Sequence, residues 1–273
     1  MINPTAVLNV ILYVAITLFA TTMGAISGMG GGVIMKPAFD LIGEYNASQI
    51  AVVTSCSVFV MSLVSVTLKF LQKPKEGEEK PDYIIILFMA LGSIAGGYLG
   101  NFIFGLITAS ASDAIVKICQ NSVLITVMIF IIIYMNSASK PKSLCSKSKV
   151  VAIVAGLFLG VISSFLGIGG GPMNVAIIIF LFGYGMKTAS ICSLAIIIFS
   201  QATKIITMTV EGGFGIFKVE ALIFVVIASV VGAFIGRFIT KKISDKGAKI
   251  CFLCAQIIIV GLCIYNIIKY ALF

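Results

Sequence analysis

Two glycine runs carry the chemistry this sequence can offer: Gly28-Met29-Gly30-Gly31-Gly32 and Gly167-Ile168-Gly169-Gly170-Gly171, each lying between apolar stretches. Consecutive glycines hold a helix poorly, since each costs roughly 1 kcal/mol against alanine inside one, so each run predicts a break. The helix that restarts after a break presents amide groups with no partner of their own and the positive end of its dipole. A small anion binds there without a dedicated cation. Half-helices starting at Val33 and Pro172 would supply two such ends, and Pro172 suits a first turn, where its missing N–H is not needed. The candidate binding residues are therefore Gly30, Gly31, Gly32 and Val33 in one run and Gly169, Gly170 and Gly171 in the other. Close helix crossings are the other use of such glycines.

Side chains near the runs extend the candidate site. Lys36 lies four residues past Gly32 and would attract an anion, or would snorkel to an interface. Lys204 sits inside the apolar run 191–210 with no acid nearby in sequence, and an ionisable group at that depth is a functional hypothesis by default. Thr54, Ser55 and Ser193 offer hydroxyls to oxyanion oxygens, or serve helix packing. Asn174 and Gln201 are polar in apolar surroundings and read as substrate contacts or as glue between helices. Asp40, Glu44, Glu211 and Glu220 fall near predicted helix ends and read as solvated. The chain has no histidine and shows no close pair of intramembrane carboxylates, so proton-handling or metal-assisted catalysis has nothing to work with. No enzyme activity, metal or cofactor is expected. The seven cysteines, Cys251-x-x-Cys254 included, read as small buried hydrophobes.

The elements that must position these residues are transmembrane helices. Of the 273 residues 60% are hydrophobic and 11% charged, which describes an integral membrane protein whose partner is the lipid bilayer. Long apolar windows run at about 7–28, 47–70, 83–107, 114–135, 150–166, 188–210, 219–240 and 250–268, leaving no soluble domain. The first is not flanked as a signal peptide would be. The segments after the glycine runs, 33–42 and 172–182, are about half a span each. A net charge of +9 would suggest nucleic acid for a soluble chain, but here lysines gather in short loops and orient the spans, so no nucleic-acid partner is expected.

The chain also repeats itself. Gly24-Ala-Ile-Ser27 pairs with Gly160-Val-Ile-Ser163, and Ala51-Val-Val-Thr-Ser55 with Ala189-Ser-Ile-Cys-Ser193. Further on, Gly96-Gly-Tyr-Leu-Gly-Asn-Phe-Ile103 pairs with Gly232-Ala-Phe-Ile-Gly-Arg-Phe-Ile239, and Ser112-Asp113 with Ser244-Asp245. The third pair places a Gly-x-x-x-Gly ridge on equivalent helices, and the Ser-Asp pairs read as helix N-caps. Ser27 stands three residues nearer its glycines than Ser163 does. The division this predicts is a first repeat at 1–138, a basic linker at 139–149 and a second repeat at 150–273. Lys73, Lys75 and Lys80 lie in the first half, and Arg237, Lys241, Lys242, Lys246 and Lys249 in a non-equivalent place in the second. If each half-helix is a return leg, each half has five legs and the halves lie upside down to one another. The loops at 71–82, 136–149 and 241–249 then share the cytoplasmic face, with both termini outside. The expected fold class is an all-α polytopic membrane protein of two inverted-topology repeats, each a Gly-broken helix with a re-entrant half-helix plus three further transmembrane helices.

Gly28-Met-Gly-Gly-Gly-Val-Ile-Met-Lys-Pro37, Ser164-Phe-Leu-Gly-Ile-Gly-Gly-Gly171 and the Ala-x-x-Thr-Ser run ending at Ser55 resemble the TauE/SafE sulfite exporter family, also called TSUP, over essentially the whole chain. That resemblance implies a secondary transporter of small sulfur-containing anions such as sulfite, thiosulfate or sulfonates, in the bacterial plasma membrane. An anion channel or a cation carrier using the same breaks is the alternative, because carbonyls at a helix break bind cations as amides bind anions.

Overall fold

The computed structural model describes residues 4–72, 79–136, 143–144, 146, 148–168, 170–210 and 219–272, with the backbone alone described at 4–7 and 219–221, and among these residues it has ten helices. They are α1 (Pro4–Ser27), α2 (Gly32–Ile42), α3 (Ala47–Phe70), α4 (Tyr83–Ser110), α5 (Asp113–Asn136), α6 (Lys149–Leu166), α7 (Gly171–Phe182), α8 (Met186–Val210), α9 (Val219–Lys242) and α10 (Asp245–Leu272). Among the described residues eight are long and apolar enough to cross a membrane, and α2 and α7 are not. The apolar windows and the two half-length segments thus appear where hydropathy put them. The chain is a multi-pass membrane protein.

Local signals set the helix ends. The Asn46 side chain accepts from the Gln49 amide while the Gln49 side chain accepts from the Asn46 amide, a capping box that opens α3. Asp82 caps α4 and Ser148 caps α6. Ser112 and Ser244 accept from amides of the first turns of α5 and α10, the capping role their Ser-Asp pairs suggested. The short helices α2 and α7 both stop at a left-handed glycine, Gly43 and Gly183. Neither has a side-chain cap at its start.

Glycine ridges make the long-range contacts. A Cβ added at Gly96 of α4 would stand 2.0 Å from the Leu157 carbonyl of α6, and one at Gly156 of α6 would stand 2.0 Å from the Met89 carbonyl of α4. Such a spacing lets two backbones touch, which is how helices associate where lipid removes the hydrophobic drive. The matching ridge of α9 packs on α1: Cβ atoms at Gly232 and Gly236 would meet Thr21 Oγ1 at 2.1 Å and the Thr22 carbonyl at 2.6 Å. Replacing Gly96 by Leu should separate α4 from α6. The expected result is loss of the monodisperse peak in detergent gel filtration, because the obstruction is backbone that cannot step aside.

Contacts at the two ends of the bundle group its loops. At one end the Gly185 amide donates to Glu79 at 2.8 Å and the Asp82 amide to the Tyr184 hydroxyl at 2.8 Å. A Cβ at Gly185 would also lie 2.9 Å from the Asp245 carboxylate, and the Leu144 and Ser146 amides donate to Phe180 and Leu181. Burial pushes the Tyr184 phenol up from its ordinary value, so it keeps its proton while its oxygen accepts from Asp82. At the other end Asn9 donates to Glu44, Asp113 accepts from the Ala47 amide, and Lys117 and Lys269 donate to the Tyr45 and Leu41 carbonyls.

Some side chains of the long helices depart from the sequence reading. Arg237, counted above with the loop lysines, is buried within α9. Cys119 and Cys254 are exposed on α5 and α10 instead of buried. A thiol tolerates lipid as well as protein, so hydropathy does not separate the two surroundings.

Candidate functional site

Both breaks are built from left-handed glycines. Gly28, Gly30 and Gly31 have φ of 77°, 79° and 60°, and Gly167, Gly170 and Gly171 have 69°, 96° and 51°, angles that only glycine adopts without strain. The α1 helix ends at Ser27 and α6 at Leu166, each directly before its first such glycine. Gly28 therefore corresponds to Gly167 and Gly31 to Gly170. The Ser27 and Ser163 pairing drawn from sequence is one helical turn out of register, and the three-residue deficit of the first copy disappears. Gly169 lies outside the described residues.

The breaks meet. A Cβ at Gly32 would stand 2.6 Å from the Ile168 carbonyl, and one at Gly171 would stand 2.7 Å from Val33 Cγ2. The starts of α2 and α7 thus abut, and Gly30, Gly31, Gly32, Val33, Gly170 and Gly171 fall in one buried place. Gly32 donates to the Gly30 carbonyl, and Ile34 and Met35 to the Gly31 carbonyl, while the Val33 amide of α2 and the Gly171 and Met173 amides of α7 have no carbonyl of their own helix within reach.

Two long helices pass both breaks with a polar stripe. On α8 the stripe is Ser190, Ser193, Gln201 and Lys204, with the apolar Ile197 between them, spaced three and four apart and so on one face. Ser190 Oγ donates to the Ser27 carbonyl at 2.9 Å and Ser193 Oγ to Gly28 at 2.8 Å. Further along, Ile197 faces Gly170, and Lys204 Nζ donates to the Ser164 carbonyl at 3.2 Å. On α3, Thr54 Oγ1 donates to the Gly167 carbonyl at 3.1 Å and Val58 packs against Gly32. Each break thus receives a hydroxyl from the long helix of the other half. Thr54→Val and Ser193→Ala should each lower the thermal midpoint in detergent through a loss of about 1 kcal/mol, the scale of one hydrogen bond between membrane helices.

Charge converges here as well. Lys204 is completely buried, with the Phe104 ring 5.7 Å away and, among the described residues, no carboxylate at ion-pair distance. A Cβ at Gly167 would lie 3.5 Å from Lys204 Nζ and 3.8 Å from Lys36 Cδ, so both lysines reach the second break. Lys36 is 3% exposed, which removes the interfacial alternative for it. Asn174 reaches back to Gly170. Its Oδ1, Ser55 Oγ and both polar atoms of Gln201 are buried without a protein partner.

Asp40 corrects the sequence reading. Position near a helix end suggested a solvated carboxylate, yet it is 0% exposed and lies 3.5 Å from Lys36 Nζ. Nothing in the local sequence marks it except the Lys-x-x-x-Asp spacing, which sets both on one face of α2. Glu44 is exposed as expected, while Glu211 and the Glu220 side chain lie outside the described residues. Sequence reasoning also passed over Ser190, and Gln120, whose Nε2 donates to the Phe165 carbonyl at 2.7 Å.

A separate cavity of about 490 Å³ opens among α3, α4 and α8, lined by Lys69, Lys80 and Lys187 with Val66, Phe70 and Tyr83. No residue of either break lines it.

Comparison with known proteins agrees with this architecture. The family described as sulfite exporter TauE/SafE matches residues 13–262. A curated protein of Bacillus subtilis (strain 168), "Probable membrane transporter protein YunE", is 22% identical over 224 residues, covering 75% of this chain and 80% of that protein. No solved structure matches.

Proposed function

The chain belongs to the sulfite exporter TauE/SafE family of membrane transporters, and we propose that it is a secondary transporter that carries a small sulfur-containing anion, such as sulfite, thiosulfate or a sulfonate, across a bacterial plasma membrane. The observation that carries this reading is the meeting of two buried helix starts with Lys36 and Lys204 beside them, against one buried acid among the described residues. Two cationic side chains and two positive dipole ends favour an anion. The carbonyls of Ser27, Gly28, Ser164 and Gly167 each accept a bond from α3 or α8, which leaves a cation one lone pair fewer at each. That occupancy counts against the cation-carrier alternative.

Alternating access follows from an inverted repeat. The pair α1 and α2 turns at one break with its open end beside Glu44, and α6 and α7 turn at the other with their open end beside Leu144 and Ser146. These contacts support two repeats, 1–138 and 150–273, entering from opposite faces. The face holding Glu79, Gly185 and Asp245 is the cytoplasmic one, where the lysines of the α9–α10 turn lie. Cysteines introduced at Glu79 and Asp245 should label from one side of the membrane, and one at Glu44 from the other. Reaction of 79 and 245 from opposite sides would remove the scheme.

Uptake into liposomes holding the purified protein tests the substrate class. Radiolabelled sulfite, thiosulfate or a sulfonate should accumulate; transport of none of them, with strong transport of sodium or a metal ion, would overturn the reading.

A further inference from the structure

Asp40 is a second charged group within α2 that the anion site does not use. Its carboxylate is fully buried, its Oδ1 has no protein partner, and its Oδ2 lies 3.5 Å from Lys36 Nζ. A charge-assisted bond of full strength is about 2.7–2.9 Å long, so Lys36 is held by Asp40 without being fully engaged. The Lys36 side chain runs from this carboxylate to the second break, where Lys204 also arrives. Lys36 therefore stands between the carboxylate and the place where an anion would sit.

We propose that Asp40 is the proton-binding site that couples transport, with its carboxylate and the anion competing for the Lys36 ammonium; the role rests on the anion reading above. A proton added to Oδ1 converts the carboxylate to a neutral acid and leaves Lys36 with no counter-charge on its own helix. An anion at the break then supplies that counter-charge. Loss of the proton restores the ion pair and displaces the anion. Proton and anion thus favour one another, and by linkage each raises the affinity for the other equally. One proton moves with one anion.

The groups that face Asp40 come from α10, α5 and α1. From α10 it faces Cys263 and Tyr270, whose hydroxyl donates to the Asp40 carbonyl, and Asn266 donates to the Pro37 carbonyl with its own Oδ1 unpartnered. Lys117 of α5 lies within electrostatic reach and is itself paired with Asp113 at 2.8 Å. From α1 the nearest titratable group is Tyr13, whose ring packs on Phe39. The buried residues of α3 include no titratable side chain. Lys269 donates to the Leu41 carbonyl at the end of the helix.

Two measurements on the full-length protein in liposomes test this. In substrate-free infrared spectra recorded across a pH titration, wild type and Asp40→Glu should show the carbonyl stretch of a buried protonated carboxyl, and Asp40→Asn should lose it. With the membrane potential clamped at zero, a one-unit pH gradient should drive about tenfold accumulation of the transported anion by wild type, the tenfold equivalent of about 1.4 kcal/mol per proton. Asp40→Asn should exchange labelled for unlabelled anion yet accumulate none. Identical spectra for wild type and Asp40→Asn, or equal accumulation by both, would overturn the proposal. A wild type that shows the Asp40 band and moves none of the three anions would uphold the proton site and remove the anion reading.

Discussion

Substituting Gln for Lys204 is expected to reduce anion transport by roughly 30- to 4,000-fold, the consequence of removing one member of a buried charge pair worth about 2–5 kcal/mol. The effect is large because of where the ammonium sits. It is fully buried, one hydrogen bond holds it to the Ser164 carbonyl, and no carboxylate of the described residues neutralises it. A solvated lysine would lose little, since water and salt screen it. Gln removes the charge and, though one bond shorter, still carries an N–H donor towards Ser164, so insertion and folding should survive. Arg should not restore transport, because the planar fork is wider than the ammonium and the space is closed by the Phe104 ring and the backbone at Gly167. Initial uptake rates of wild type, Lys204→Gln and Lys204→Arg at equal protein in the membrane check this.

Gly32→Val should have a comparable effect for a steric reason. A Cβ at this position would stand 2.6 Å from the Ile168 carbonyl and 2.8 Å from Val58 Cγ2. The first obstruction is main chain of the opposing break and cannot rotate away. Either the breaks separate or α2 shifts, and both move the amides proposed to bind the anion. A cost of about 3 kcal/mol, at the upper end for overpacking, corresponds to about a 100-fold loss of transport. Gly32 has an ordinary backbone angle, so the loss measures the close approach alone, whereas Gly31 at φ 60° would add backbone strain. Membrane insertion should be unchanged, and uptake assayed alongside surface biotinylation separates the two outcomes.

Most of the architecture was legible because lipid leaves few options. A run of some twenty apolar residues has to be a helix in a bilayer, and three glycines in a row have to interrupt one. The half-length segments, the capping serines and the Gly-x-x-x-Gly ridges followed from those two rules. Distances across the fold did not. Asp40 looked solvated because sequence gives proximity to a helix end and not what covers that end; here α10 covers it through Asn266 and Tyr270. Lys36 and Lys204 were each ambiguous for the same reason, and only the fold shows that both are buried beside the second break. Ser190 went unnoticed because a serine beside other small residues carries no signal until its acceptor, the Ser27 carbonyl 163 positions away, is seen. The register of the first repeat was misjudged by matching Ser27 to Ser163, when helix ends and left-handed glycines, and not residue identity, define equivalence.

The central claim is that one anion is held where the two breaks abut. Equilibrium binding of radiolabelled sulfite, thiosulfate and a sulfonate to the purified wild type, Lys204→Gln and Gly32→Val proteins tests it without any assumption about direction or driving force. The account predicts saturable binding of at least one anion to wild type, at one site per chain, and its loss from both variants. Binding of equal strength in all three proteins, or of none of the anions to wild type, would contradict it.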